Sequence, residues 1–328
     1  MRASMTPASA AANATNANTT TVRRFMSQVS HSLARKPLPT VAQLIERGRR
    51  RLTRARLHYG HGTDNARDDA AALLWHVLQL PWPASSHTLR RPVSVRAQAQ
   101  FAKLIERRIR ERIPVVYLTQ RCWFAGLSLY VDSRVLIPRS AIAELIQQHF
   151  QPWIDRTRVR RILDLGTGSG CIAIACARAF PRARVDAADL SGDALAVAQI
   201  NIRRHRLSAR VKALRSDHFA GLGRSSYDII VSNPPYVGRR EFKALPPEYR
   251  HEPKGALEAG TDGLDSVRII LRDAAARLRP GGVLIVEVGN SEAAVRRAFP
   301  HLPFLWLAFE HGGGGVFLLE REQLQAAK

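Results

Sequence analysis

From Val159 to Ala177 the chain runs VRRILDLGTGSGCIAIACA, an apolar run (Ile162, Leu163, Leu165), a glycine-dense turn from Gly166 to Gly170, then a second apolar stretch opening near Cys171. A buried strand that turns on glycines directly into a helix needs further parallel strands beside it, because the crossover helix must pack on a sheet. Glycines also let the backbone approach a ligand closely and leave the helix N-terminus facing it. The spacing is G-x-G-x-G, one residue shorter than the dinucleotide fingerprint. Strands and helices alternate from Val159 onward, with strands expected near 160–165, 183–188, 211–215, 227–232, 282–288, 303–309 and 315–320. The fold class is α/β.

Three of these strands end on acids. Asp164 lies within the first, Asp189 closes VDAADLS and Asp217 follows ALRS. An acid at the tip of the second strand is placed for ribose hydroxyls, and one at the third could accept from an adenine amine. Helix capping accounts for any one of them, though less readily for three in succession. The fourth strand, YDIIVS, stops on Asn233-Pro234-Pro235-Tyr236. Proline holds the preceding residue extended, and its carbonyl stands beside no N–H of its own residue. With the Asn233 side-chain oxygen it makes two acceptors for the hydrogens of a planar –NH2 group, on which Tyr236 can stack. A tight turn after a strand explains the tetrapeptide equally well. A ribose and an adenine site without a hydride-transfer signature suggest S-adenosylmethionine. No Ser-His-Asp or Cys-His arrangement and no metal-ligand spacing is evident.

DLGTGSG followed by NPPY resembles the protein-glutamine N5-methyltransferases, a branch of the Rossmann-like class I methyltransferases. YGHGTDN (Tyr59 to Asn65), ERIPVVYLT (Glu111 to Thr119), VLIPRS (Val135 to Ser140) and EYRHEP (Glu248 to Pro253) look like the branch that acts on the third large-subunit ribosomal protein. The resemblance implies a sheet of seven strands, the last antiparallel, and S-adenosylmethionine as methyl donor. It implies that Asp164, Gly166, Thr167, Gly168, Gly170, Asp189, Asp217 and His218 bind the cofactor. Asn233, Pro234, Pro235 and Tyr236 would hold the substrate amide, with Asn233, Pro234 and Tyr236 assisting transfer. Arg139 and Glu144 are expected to brace the site beneath the NPPY turn, with a plain surface ion pair between them as the alternative, and Glu248 to Gly263 to form a mobile substrate-facing loop, with an ordinary surface loop as the alternative. A release-factor methyltransferase, an adenine N6-methyltransferase of nucleic acid and a non-catalytic RNA-binding assembly factor are the alternatives. An intact glycine loop and NPPY speak against the last, and the lack of a large target-recognition region speaks against the adenine enzyme.

The expected organisation is a disordered tail over residues 1–38, a helical substrate-binding domain over 39–113, a β-hairpin linker over 114–135 and a methyltransferase domain over 136–328, in which a helix runs from about Ser140 to Phe150. The tail is Ala-, Ser-, Thr- and Asn-rich, and its first acid is Glu46 beyond it. Such a start also resembles a mitochondrial transit peptide. VAQLIERGRRRLTRARLHYG, DDAAALLWHVLQL and VRAQAQFAKLIERRIRER carry apolar residues at helical spacing. No apolar run reaches the length of a membrane span. Cys122, Cys171 and Cys176 form no disulfide framework, which points to a reducing cytoplasm. The net charge of +23 is carried mostly by arginine clusters such as Arg47–Arg56 and Arg107–Arg112. Such a field attracts RNA and makes association salt-dependent, which suits a ribosomal protein met on assembly intermediates with rRNA; a solvated basic surface is the plainer alternative.

Overall fold

A computed structural model describes residues 37–80, 85–310 and 313–326. Residues 1–36 of the expected tail lie outside them. The first described elements are α1 (Val41–Arg54), α2 (Ala66–Leu78), α3 (Ser86–Leu89), α4 (Val95–Glu111) and α5 (Val115–Thr119). Thr40 and Gln43 cap α1 reciprocally, each side chain bonding the other's backbone. The apolar faces of α1, α2 and α4 meet in one core that includes Leu44, Leu52, Leu73, Leu74, Phe101 and Ile105. Arg108 is buried there too, bonded to Asp69 of α2 at 2.8 Å.

A β-hairpin, β1 (Cys122–Phe124) and β2 (Leu127–Leu129), follows. The hairpin is shorter than expected because Val115–Thr119 is a helix. Pro114 stands at its N-cap, and Gln120 ends it in the left-handed region. The apolar run VVYL has no polar alternation to separate a buried helical turn from a strand. Next come α6 (Ile142–Gln147), β3 (Arg161–Leu165), α7 (Cys171–Ala179), β4 (Arg184–Asp189), α8 (Gly192–Arg204), β5 (Val211–Arg215) and β6 (Tyr227–Ser232). Helix α6 stops before the expected Phe150, since His149 and Phe150 both have positive φ. After β6 the order is α9 (Arg239–Ala244), α10 (Asp265–Asp273), β7 (Leu278–Glu287), α11 (Glu292–Ala298), β8 (Leu305–Trp306), β9 (Val316–Glu320) and α12 (Arg321–Ala326).

Strands β3 to β9 form one sheet in the order β5-β4-β3-β6-β7-β9-β8. Neighbours pair in parallel except β9, which runs antiparallel to both β7 and β8. The inner strands are apolar on both faces because both are covered. Helices α6, α7 and α8 pack on one face, and α10, α11 and α12 on the other. The strand order reverses between β3 and β6, so a crevice opens at the carboxyl ends of these two neighbours. This placement decides where ligands can sit.

Candidate active site

The loop after β3 is shaped by three glycines with positive φ, Gly166 (75°), Gly168 (54°) and Gly170 (80°), where a side chain would be strained. Asp164 is fully buried beneath it. One of its oxygens accepts from Thr167 Oγ1 at 2.5 Å and from the Ala173 amide at 2.9 Å, tying the loop to the first turn of α7. Its Oδ1 has no partner among the described residues. Complete burial pushes this carboxyl up to about 7, against the two hydrogen bonds that hold it down. Asp189, at the end of β4, accepts from the Gly168 amide at 2.8 Å and the Ser191 amide at 2.9 Å. Burial raises its pKa as well.

The register Leu165↔Ser232 sets the glycine loop beside the Asn233-Pro234-Pro235-Tyr236 turn. Ser232 Oγ bonds the Leu165 carbonyl at 2.6 Å, and a Cβ on Gly166 would come within 4.0 Å of the Asn233 carbonyl. Asn233 Oδ1 is buried without a partner among the described residues. The Tyr236 carbonyl accepts from Ser291 Oγ at 2.8 Å. Its ring lies so close to Gly289 that a Cβ there would sit 2.7 Å away. Burial and the neighbouring Glu287 raise the Tyr236 phenol to about 12, so it stays neutral at physiological pH.

A cavity of about 510 Å³ opens between these loops. Of the residues singled out from sequence, Gly166, Gly168, Asp189, Asp217, His218, Asn233, Pro234 and Pro235 line it. Asp164, Thr167 and Gly170 stand behind the loop as its supports. Tyr236 lines a second, more open groove of about 1200 Å³ together with Arg139, Ser140 and Glu287. Asp217 and His218 bond to each other at 2.8 Å. Two residues at these openings, Leu190 in the cavity and Glu287 in the groove, went unnoticed in the sequence. Leu190 is a large apolar side chain left 60% exposed at the cavity wall, directly after the acid that ends β4. Glu287, at the end of β7, repeats the pattern of an acid closing a parallel strand, and that pattern could have flagged it. It accepts from Ser140 Oγ. Burial pushes its carboxyl up to about 7, against hydrogen bonds from Ser140, the Ala141 backbone and the Asn233 side chain and the charge of Arg139.

Arg139 and Glu144 both line the groove with Tyr236, but the alternative ion pair between them does not form; both terminal nitrogens of Arg139 bond Glu252 at 2.7 Å. Glu144 instead accepts from Gln148 and from the Glu310 amide. Nor is Glu248 to Gly263 a loose loop over its first half. Glu248 and Glu252 are buried, on or beside the 3-10 turn Pro247–His251. Glu248 Oε1 accepts from the His58 amide at 2.9 Å and from Arg112 at 2.8 Å, with Arg108 at 3.7 Å. Glu252 accepts from the Ile137 amide at 2.9 Å as well as from Arg139. His61 lies 3.7 Å from Glu252, and burial, then the nearby Arg139 charge, lowers its pKa to about 3. Tyr249 packs against His61 and under the Arg139 guanidinium, and His251 bonds the Glu111 carbonyl at 2.9 Å. The polar composition of this stretch reflects an ionic seam to the helical region. Beyond it, Leu257 and Ala259 bond Val237, directly after Tyr236. One continuous segment thus joins the N-terminal helices to the crevice.

The Methyltransferase small domain family model matches residues 143–246, and the PrmC N-terminal domain model matches residues 43–119. A ribosomal protein uL3 glutamine methyltransferase of Neisseria meningitidis serogroup B is 45% identical over 300 residues, covering 91% of this chain and 99% of the relative. Its counterpart from Neisseria gonorrhoeae is 46% identical over 292 residues, covering 89% and 97%.

Proposed function

This chain belongs to the ribosomal protein uL3 glutamine methyltransferase family, and from that premise we propose that it methylates N5 of a glutamine side chain in uL3, with S-adenosylmethionine as donor. The observation that carries this reading is the buried, unpartnered Asn233 Oδ1, set beside a glycine loop at the point where the strand order reverses. A buried acceptor left without a donor costs free energy unless a ligand completes it. The crevice also fits the cofactor chemically. Backbone of Gly166 and Gly168 can approach the methionyl end, Asp164 behind the loop orders it through Thr167 and the Ala173 amide, Asp189 suits the ribose, and Asp217 with His218 suits the adenine edge. Leu190 offers an apolar wall for the base. Thr167 and Gly170 act through loop shape. When bound, the cofactor supplies an electrophilic methyl group on a sulfonium.

An amide nitrogen is a poor nucleophile because its lone pair is delocalised, so orientation is the main task of the protein. Asn233 Oδ1 and the Pro234 carbonyl accept the two amide hydrogens, which aims the nitrogen into the crevice. The same acceptors favour the positive charge that develops on nitrogen during transfer. Orienting two reactants can remove roughly 7–11 kcal/mol of barrier in favourable systems. Pro235 stiffens the turn. Tyr236, neutral and facing the second groove, holds the amide plane and marks that groove as the approach for a protein side chain. The net charge of +23 suits a substrate met on rRNA-bearing assembly intermediates in the cytoplasm.

The test is transfer from labelled S-adenosylmethionine to uL3, a release factor and deproteinised nucleic acid in parallel, with mass spectrometry of the product. Label on a glutamine of uL3 alone is expected. Label on the release factor would keep the chemistry and change the substrate, and label on adenine would overturn the protein acceptor.

A further inference from the structure

Asn233 is useful as an acceptor only in one of the two flips of its amide. With Oδ1 toward the crevice it meets the –NH2 of the substrate; with Nδ2 there, donor faces donor. Something must choose between them. Strands β6 and β7 run in parallel with Ser232 opposite Val286, so Asn233 and Glu287 are the next residues of neighbouring strands as both leave the sheet. Glu287 is only 6% exposed. The Ser140 hydroxyl donates to one of its oxygens, and Ser140 is itself held by the Ile142 amide, which donates to its Oγ at 3.2 Å. The Ala141 backbone and the Asn233 side chain are the further neighbours whose N–H groups favour the charged carboxylate. Arg139, the nearest cation, is committed to Glu252 at 2.7 Å through both terminal nitrogens.

Resting on the function proposed above, we propose that Glu287 is a positioning residue: it takes Asn233 Nδ2 as a donor and so leaves Oδ1, the buried atom without a protein partner, turned toward the acceptor amide. The opposite flip would set Oδ1 against a carboxyl already filled by its own donors, and it would leave Nδ2 facing the substrate hydrogens. The rest of the turn has its own anchors, Ser291 on the Tyr236 carbonyl and the close packing of Gly289 on the Tyr236 ring. Glu287 therefore has a task separate from holding the backbone. It acts on the reaction only through Asn233.

The test is a double-mutant cycle on methyl transfer by the full-length enzyme, with kcat, KM and S-adenosylmethionine affinity read for each variant. Glu287→Leu keeps the size of the side chain but offers no acceptor. It is expected to lower kcat by about 10–100-fold, the scale of a misplaced reacting group, with KM and cofactor affinity within about 3-fold. Glu287→Gln keeps one carbonyl and should recover most of that loss. In an Asn233→Ala background, Glu287→Leu should cost no more than about a further 3-fold, because the group it positions has gone. Losses that multiply independently, or unchanged kcat in the single variants, would overturn the positioning role. If Glu287→Leu does not fold, Glu287→Gln in both backgrounds carries the same cycle, with a fall of about 3–10-fold expected from Asn233 and none without it. The cycle is run on whichever acceptor takes label. Absence of label on uL3 speaks against the proposed function, while absence of coupling in an active enzyme speaks only against Glu287.

Discussion

Glu248 and Glu252 are buried among arginines at the seam, whereas Asp164 and Glu287 are buried in the crevice with hydrogen bonds from hydroxyls and amides alone. Size and burial are similar in the four; the nature of the partners differs. At the seam each carboxylate meets a guanidinium that arrives from distant sequence, so charge is matched within the chain. In the crevice the donors are neutral and burial dominates, so both carboxyls are pushed up to about 7. Among the described residues both regions leave buried polar atoms over, Glu248 Oε2 and the His61 nitrogens at the seam and Asp164 Oδ1 and Asn233 Oδ1 in the crevice, but of these residues only Asn233 lines the cavity. A region that holds the fold together uses paired charge. A region that receives a ligand uses neutral donors and sets an open acceptor, Asn233 Oδ1, at the cavity wall.

The largest effect should come from the crevice. Asn233→Ala is expected to reduce kcat by about 10²–10³-fold, as for removal of one group from a transition-state hole, with cofactor affinity by calorimetry within about 3-fold. An equal loss of both would merge the two halves of the crevice into one binding function. At the seam the prediction reverses. Arg108→Met strands Asp69, bonded at 2.8 Å in a buried pair, and should cost about 3–5 kcal/mol in denaturant unfolding while the folded fraction keeps its kcat. Lost turnover at unchanged stability would place the seam in the chemistry.

Acidity gives a smaller, signed contrast. His61 has a folded pKa near 3, below its ordinary 6.5, so between these values the unfolded chain binds more protons and stability falls as pH falls. Asp164 and Glu287 act the other way: the folded chain holds more protons between their ordinary values and about 7, so the stability they contribute is lost as pH rises. Denaturation midpoints at pH 7.5 and 5 should therefore show His61→Gln losing less on acidification than the parent protein; equal losses would remove His61 from the balance. The smallest effect belongs to an exposed pair. Arg268 bonds Asp262 at 2.5 Å, each side chain 45% exposed, and Arg268→Ala should shift stability by no more than about 1 kcal/mol. A larger cost would mean that exposure does not separate this pair from the seam.

The contrast also explains what the sequence made legible. Strands β3, β6 and β7 could be read because their buried stretches are continuous apolar runs, β4 and β5 followed from the alternation of strand and helix, and the strand ends located Asp164, Asp189 and Asn233 without tertiary information. The seam could not be read. Glu248 and Glu252 look like solvent-facing residues until Arg112 and Arg139 are known to stand beside them, and that depends on how the helical region docks. Helix α5 failed for a local reason, since VVYL is apolar throughout and carries no period. Glu287 was legible in principle, since it too is an acid that closes a parallel strand.

The seam also has a consequence for the order in which the protein is made. His58 and Glu248 are 190 residues apart in the chain, so at 5–20 residues per second a ribosome needs roughly 10–40 s to pass from one to the other. During that interval the helical region exists with Arg112 still waiting for its carboxylate. A chain released before residue 248 keeps its N-terminal basic surface but lacks the acid that closes it, and it also lacks β7 with Glu287. Closure of the seam and assembly of the crevice therefore both wait for segments made long after the helical region, and a chain that stops earlier leaves Arg112 without its carboxylate.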